Sequence, residues 1–374
     1  MIYLDYSATT KPDEKVIEVY NKVAREYYAN SNSLHSLGIK SKELEEYATN
    51  KIAKLLKVKP TEIIYTSGAS ESNNQALKGI CFKYKQRANH IITTKLEHSS
   101  ITETVKYLTE NGFVVDYVNI LENGEVDLEH LKQLINDNTL LVSICAVDSE
   151  LGIKQPIEKI SHIVKCYPKC YLHVDCTQAI GKINIDLSKV DLASISAHKI
   201  YGFKGIGLLY KKENIEIDPL IHGGKSTTVY RSGTPALPLI VSMMKALELI
   251  IPKVEENYNK VKILNDLVKD NLIKYSKVHI NSTEKSIPYV INFSIKDIKP
   301  ETFVHALDEK NIYISTKSAC SKANTMSESV YSVTKNKDYA STSLRISLSY
   351  LTTEKEIEEF TNSFGECYKK LTLK

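Results

Sequence analysis

The chain lacks a long hydrophobic run. Its most apolar long stretch, LPLIVSMMKALELIIP, is interrupted by Lys245 and Glu248, and is too short and too charged to span a bilayer. It also lacks a strong charge of one sign: 49 Lys and Arg stand against 45 Asp and Glu, a net charge of +4. An excess so slight and so scattered gives no reason to expect a nucleic acid partner. The opening MIYLDYSATT has no basic region and no apolar core, so no export leader is expected. No internal repeat or low-complexity tract stands out. The seven cysteines are scattered and odd in number; without an export signal, most are expected to be reduced thiols in a cytoplasmic protein. Cys166, Cys170 and Cys176 lie close together with His162 and His173 nearby. Their C-x3-C-x5-C spacing is not the paired C-x2-C of common structural zinc sites. They read as small core cysteines, and no metal is expected.

What is present is globular in composition: 374 residues, 42% apolar and 25% charged, enough for two domains. From about Ser41 to Val58, Leu44, Tyr47, Ala48, Ile52, Leu55 and Leu56 fall near helical spacing. Strand-like segments then alternate with helical ones. TEIIYT, HIITTK, FVVDYV, TLLVSICAV, CYLHVD, DLASISA and GIGLLYKK read as strands, and SGASESNNQALKGICFKYK, SITETVKYLTENG, DLEHLKQLI and IEKISHIVKCY as helices. Alternation with continuously apolar strands predicts a largely parallel α/β sheet covered on both faces. After Pro238 a long helical stretch to Tyr275 leads into a smaller α+β unit that ends in a helix near Glu354 to Leu371. Between Ser315 and Ser341 the sequence is polar and reads as a long loop, which carries Cys320.

Ligands of open α/β sheets sit beyond the carboxyl ends of the strands, and three such ends here carry unusual residues. DLASISAHKIYG ends a strand on His198 and Lys199. Either the strand has surfaced and Lys199 points outward, or its amine is bonded to something, since an unpaired buried ammonium is costly. Ser67-Gly68-Ala69-Ser70, between a strand and a helix, offers free N–H groups and a helix dipole to a phosphate; an ordinary helix start capped by Ser67 or Ser70 would look similar. Asp175 ends the strand in LHVDCTQAIG, with Gln178 three residues on; it either caps a turn or pairs with a cationic ring nitrogen in a dry place. A phosphate cradle, an aspartate and a strand-end lysine are what pyridoxal 5'-phosphate requires.

These motifs resemble, in order and over nearly the whole chain, those of cysteine desulfurases of the NifS/IscS type, within the class V aminotransferases. YLDYSATT, NSNSLHSLG, TSGASESNN, LEHSS, ELGIKQPI, HVDCTQAIGK, SAHKIYGFKGIG, YRSGTP and KSACS carry the likeness. The resemblance implies the PLP-dependent transferase fold type I: a large, mostly parallel seven-stranded sheet domain at 13–254, and a smaller α+β domain made of 1–12 and 255–374. It implies that Lys199 is the Schiff-base lysine, that Asp175 pairs with the pyridine nitrogen and that Gln178 hydrogen-bonds the ring hydroxyl. It implies that His98 stacks on the ring and handles protons, and that Ala69, Ser70, Ser196 and His198 hold the phosphate. Thr234 would reach a neighbouring subunit's phosphate in a homodimer. Arg345 would clamp the substrate carboxylate, unless it is a solvated strand arginine. Cys320, with Lys317 and Lys322 nearby to favour thiolate, would take the sulfur of L-cysteine as a persulfide, leaving L-alanine. The acceptor would be an iron–sulfur scaffold or a tRNA thiolation protein.

The chain departs from the family pattern at several places. Asp148-Ser149-Glu150 replaces NNE, so Ser149 stands where an Asn contacts the cofactor's ring oxygen, and Asp148 adds a charge nearby. Lys225 and Ser226 replace Gln and Glu, Lys317 replaces a Gly, and Ser349 replaces another Gly. Two alternatives stay open at this point. One is a different class V enzyme, such as a selenocysteine lyase or an aminotransferase. The other is a weakly active cofactor-binding partner or scaffold protein.

Overall fold

The structure, a computed structural model, describes residues 1–224, 227–316 and 326–372. Its largest layer is a seven-stranded sheet built from β2 (Ile63–Thr66), β3 (His90–Thr93), β4 (Val114–Tyr117), β5 (Thr139–Cys145), β6 (Tyr171–Asp175), β7 (Leu192–Ser196) and β8 (Gly207–Lys211). The order across the sheet is β2-β8-β7-β6-β5-β3-β4. β8 runs antiparallel to both its neighbours, and the remaining pairs are parallel. β3, β5, β7 and β8 are buried along their whole lengths, whereas edge strand β4 is mostly exposed. That is the burial expected where helices cover both faces. The α/β class and the mostly parallel seven-stranded sheet are as expected.

Two small sheets complete the chain. β1 (Ile2–Tyr3) pairs in parallel with β11 (Ile312–Tyr313). β9 (Val278–Ile280), β10 (Val290–Ile295) and β12 (Ser343–Ser347) form an antiparallel sheet in the order β12-β10-β9. The final helix, Glu354–Thr372, packs Phe364 among Phe293, Phe303, Phe360 and Tyr275.

Some sequence expectations need correction. The helix expected from Ser41 begins at Ser36, where the His35 ring accepts from Gly38 N. The long helix after Pro238 is two helices, Leu237–Ile250 and Val254–Leu272. Ile251–Lys253 between them is a tight turn containing Pro252, which has no N–H to continue the ladder. The apolar stretch is the first of these helices, and the Glu14–Glu26 and Ser36–Leu56 helices pack on it. Among the described residues no helix is long and apolar enough to cross a membrane. The loop expected to run to Ser341 is helical in its second part: Glu328–Thr334 is capped by Ser327 and followed by Lys337–Ser341. Ser329, Val330, Ser332 and Val333 are buried, a face hidden in the sequence because half of it is serine. Cys166 is exposed rather than in the core, while Cys170 and Cys176 are buried.

The reversed strand β8 sets the geometry at one sheet end. A Cβ on Gly207 would meet Ile195 O at 2.6 Å and Gly68 Cα at 2.7 Å. Both are backbone atoms and have little room to yield. Gly68 itself has φ +152°, a conformation glycine adopts without steric cost. Gly207→Ala is therefore expected to destabilise the fold by about 1–3 kcal/mol, the usual cost of overpacking, measured by denaturant melts. Gly224→Ala, where a Cβ would meet nothing within 4 Å, serves as the control and is expected to change stability by under about 0.5 kcal/mol.

Candidate functional site

β7 ends at Ser196 and the chain turns tightly through Ala197–Lys199. Lys199 has not simply surfaced. Its Nζ donates to Ser7 O at 2.5 Å and Ala8 O at 2.6 Å. Those carbonyls belong to the N-terminal segment, which is tied down on both sides. Thr10 N and Oγ1 both donate to His198 O, and Ser7 N donates to Ser347 Oγ at 2.8 Å. The amine is thus held by backbone from the N-terminal segment, 191 and 192 residues away in sequence.

The helix Ala69–Tyr84 starts beside it. Its cap position is Gly68, and no side chain caps it. The ordinary Ser-capped start that the sequence left open does not form, and the first N–H groups lack a side-chain acceptor. Gly68, Ala69, Ser70, Ser196 and His198 line the same cavity, so these N–H groups border a space that suits an anion.

Asp175 is buried at the end of β6. Its Oδ1 accepts from Thr177 N at 2.9 Å and its Oδ2 from Asn73 Nδ2 at 2.7 Å. It therefore caps a turn and also keeps acceptor capacity on both oxygens. His98 begins the helix Ser99–Glu110, and its Nδ1 accepts from Ser100 N at 3.2 Å. Burial lowers its pKa, Lys199 adds to that effect, and the charges of Asp175 and Glu150 oppose it. His198 Nδ1 lies 3.1 Å from Thr9 Oγ1. Burial, and then the positive charge of Lys199, push its pKa down to about 4. Both rings are neutral at pH 7.

Arg345 is not a solvated strand arginine: it is 1% exposed. Its Nη2 pairs with Asp5 Oδ1 at 2.8 Å and its Nη1 donates to Ser149 O at 3.0 Å. Among the described residues its Nε has no hydrogen-bond partner.

All these groups border one cavity of about 350 Å³. Lys199, Asp175, Gln178, His98, Ser149, Ser196, His198, Ala69, Ser70 and Arg345 line it. Thr234 does not; it is exposed at the start of the segment leading to the Leu237–Ile250 helix. Cys320 lies outside the described residues, as do Lys317, Lys322, Lys225 and Ser226. Three cavity residues, Ser7, Thr177 and Arg345, each keep a buried polar atom with no partner among the described residues. Buried polar atoms are rarely left unpaired, so the cavity suits a ligand with several polar groups. An open helix start, a reachable amine and a buried carboxylate with spare acceptor capacity match the phosphate, aldehyde and ring nitrogen of pyridoxal phosphate.

Comparison with known proteins points the same way. Residues 2–360 match the aminotransferase class-V family. A NifS/IcsS protein homolog of Lactobacillus delbrueckii subsp. bulgaricus is 38% identical over 375 residues, covering 99% of this chain and 97% of its own. The cysteine desulfurase IscS of Buchnera aphidicola subsp. Baizongia pistaciae is 39% identical over 366 residues, covering 96% and 90%. A solved NifS-like protein superposes with a TM-score of 0.94 at 36% identity, covering 99% of both chains. The chain belongs to the class-V aminotransferases, among the cysteine desulfurases of the NifS/IscS type. That family depends on pyridoxal phosphate.

Against the desulfurase pattern, the departures fall unevenly. Ser149 lines the cavity, but Asp148 does not. Asp148 accepts from Leu151 N at 2.5 Å and from Ser329 Oγ at 3.3 Å. Burial, with Glu150 adding to it, pushes its carboxyl up to about 7, so burial opposes its charge where it stands. Ser349 is buried and its Oγ lies 2.6 Å from Tyr201 OH, so this replacement of a glycine is used in packing.

Several site residues carried no sequence assignment. Asn73 anchors Asp175, Asp5 balances Arg345, the carbonyls of Ser7 and Ala8 hold Lys199, and Lys204 lines the cavity. Asn73 and Asp5 had one usable signal: each is a polar residue inside a motif that carries the family likeness. Cys145 also lines the cavity, but burial raises its thiol pKa well above the ordinary value, so it stays protonated and unreactive.

Glu97, next to His98, is buried. Its Oε1 accepts from Cys145 N at 2.9 Å and Thr94 Oγ1 at 2.8 Å, while Oε2 has no partner among the described residues. Burial raises its pKa from 4.5 to about 8. Between those values the folded chain holds a proton that the unfolded chain has lost. Its stabilising effect is therefore complete below about pH 4.5 and is lost as pH rises through about 8. Relative to Glu97→Gln, the wild type is expected to lose stability steadily from about pH 5 to 8. Melting both proteins across that range checks this. A constant difference would mean that Glu97 ionises normally.

Proposed function

We propose that this chain is a pyridoxal-phosphate-dependent cysteine desulfurase that converts L-cysteine to L-alanine and carries the sulfur as a persulfide on Cys320. The observation that carries the reading is the convergence on one cavity of Lys199, Asp175, the uncapped helix start at Gly68–Ser70 and the buried Arg345. Ala69, Ser70, Ser196 and His198 hold the phosphate, with neutral His198 contributing an N–H rather than a charge. Asp175 keeps the ring nitrogen protonated, and Asn73 and Thr177 N keep Asp175 in place. Gln178 and Ser149 would serve the ring oxygen, and His98 would cover the ring. Lys199 Nζ would be the group that holds the cofactor at its aldehyde. When bound, the cofactor supplies an electron sink for the bond broken at the substrate Cα.

The chain's own groups do the rest. Arg345 fixes the substrate carboxylate through its guanidinium. Lys199, once free, takes the Cα proton on Nζ; the carbonyls of Ser7 and Ala8 hold that amine in place. The Cys320 thiolate bonds to the substrate sulfur as the substrate Cβ–S bond breaks. The electron pair goes to Cβ, which takes up a proton equal to the one Cys320 lost on becoming a thiolate, and Lys199 returns its proton to Cα, so that the product is alanine. The likeness to a solved protein titled "SspA in complex with cysteine", 31% identical with a TM-score of 0.83 and covering 94% of this chain, supports cysteine as substrate.

The same reading gives a large unit at 13–254 and a small one made of 1–12 and 255–374. It makes the active form a homodimer in which Thr234 reaches the neighbouring subunit's phosphate. The persulfide passes to an acceptor protein, an iron–sulfur scaffold or a tRNA thiolation protein. A cytoplasmic setting fits, because Cys320 must be returned to a thiol between turnovers.

With L-cysteine and a thiol reductant, the loaded protein is expected to release sulfide and alanine in equal amounts. Cys320→Ala should keep the cofactor's visible absorbance and release neither. A yellow wild-type protein that yields no sulfide would sink the assignment and favour another amino-acid substrate or a scaffold role. Arg345→Lys is expected to raise KM for L-cysteine roughly 10- to 100-fold through loss of a bidentate contact, measured by the same assay.

A further inference from the structure

Lys182 is a buried cation that the proposed chemistry leaves unused. It lies in the turn that follows β6 and is 7% exposed. Its Nζ donates to Gln178 Oε1. At the other end of that amide, Gln178 Nε2 donates to Ser7 O at 3.0 Å. The same carbonyl accepts from Lys199 Nζ. Lys182, Gln178, Ser7 and Lys199 therefore form one hydrogen-bonded chain along the wall of the cavity.

An amide has one end that accepts and one that donates, and the two ends are nearly identical in shape. A glutamine at a cavity wall can therefore turn over and reverse its role unless something tells the ends apart. A lysine amine always has N–H to give, charged or neutral. We propose that Lys182 is a positioning residue: by occupying Oε1 of Gln178 it fixes the amide with its NH2 end toward Ser7 and the cavity, making Gln178 a donor to the ligand's ring oxygen. The inference rests on the pyridoxal phosphate reading above.

The electrostatic setting agrees with this role. The charges that bear on Lys182 are cations, Lys199 and Arg345, with burial as the largest influence, and together they push its pKa down to about 7. His198 is neutral and Asp5 is spent on Arg345. The proposed role needs only an N–H on Lys182, which the amine keeps in either charge state.

A donor on the ring oxygen favours the anionic oxygen and lowers the pH at which the bound cofactor's visible absorbance changes. The test is that spectral titration on loaded protein, with a thermal melt of each variant. Lys182→Met, which fills the space without a donor, is expected to raise the midpoint by about one pH unit, the size of one lost hydrogen bond to a charged group. Gln178→Glu has no N–H to give and should move it in the same direction, which decides the matter should Lys182→Met not fold. Lys182→Arg keeps both donor and charge and should stay near the wild-type midpoint. An unmoved midpoint in a folded, loaded Lys182→Met or Gln178→Glu protein overturns the inference while leaving the desulfurase reading intact. Wild-type protein that takes up no pyridoxal phosphate overturns both.

Discussion

An amine at the carboxyl edge of a parallel sheet, held by the carbonyls of Ser7 and Ala8, is the interaction on which the rest of this structure depends. Polar groups removed from water need partners, and charged ones need them most. Satisfying Lys199 draws the N-terminal segment across the sheet edge. That segment brings Asp5 to Arg345 and is itself pinned to β12 through Ser347. Asp175, anchored by Asn73, lines the same cavity. Each charged or polar group at the edge is placed by the requirement to satisfy another.

The environment also sorts these groups by charge. Arg345 and Asp5 form an ion pair, while burial keeps His98 and His198 neutral and favours the uncharged forms of Glu97 and Asp148. Groups of similar chemistry thus take different charge states in and around one cavity, as burial and neighbouring charge dictate. Beneath them, the fully buried strands β5 and β7 supply a rigid base, and the close approach of β8 to Gly68 sets where the anion cradle can lie.

Much of this was legible in the residues themselves. Continuously apolar strands between amphipathic helices announced a covered parallel sheet, because their pattern is local. Lys199, Asp175 and the Gly68–Ser70 turn announced a site, because each breaks the pattern of its own strand end. Asn73 and Asp5 were harder to find, since their importance lies in what they touch across 102 and 340 residues of sequence. Local spacing does not encode such pairings. The Glu328–Thr334 helix was missed for a different reason: its buried face includes Ser329 and Ser332, whose hydroxyls mask the apolar period.

The pairing of the N-terminal segment has a consequence for the order in which the protein is made. Ser7 finds its hydrogen-bond partner Ser347 after 340 further residues, and β1 finds β11 only once Ile312 exists. At about 5–20 residues per second, roughly 20–70 s of synthesis separate Ser7 from Ser347. Thr10 can bond to His198 O well before then, but the stretch from Ile2 to Ser7 has neither β11 nor Ser347 to fix it. The cavity is therefore completed last, by the oldest residues of the chain, when all but its final helix has been made.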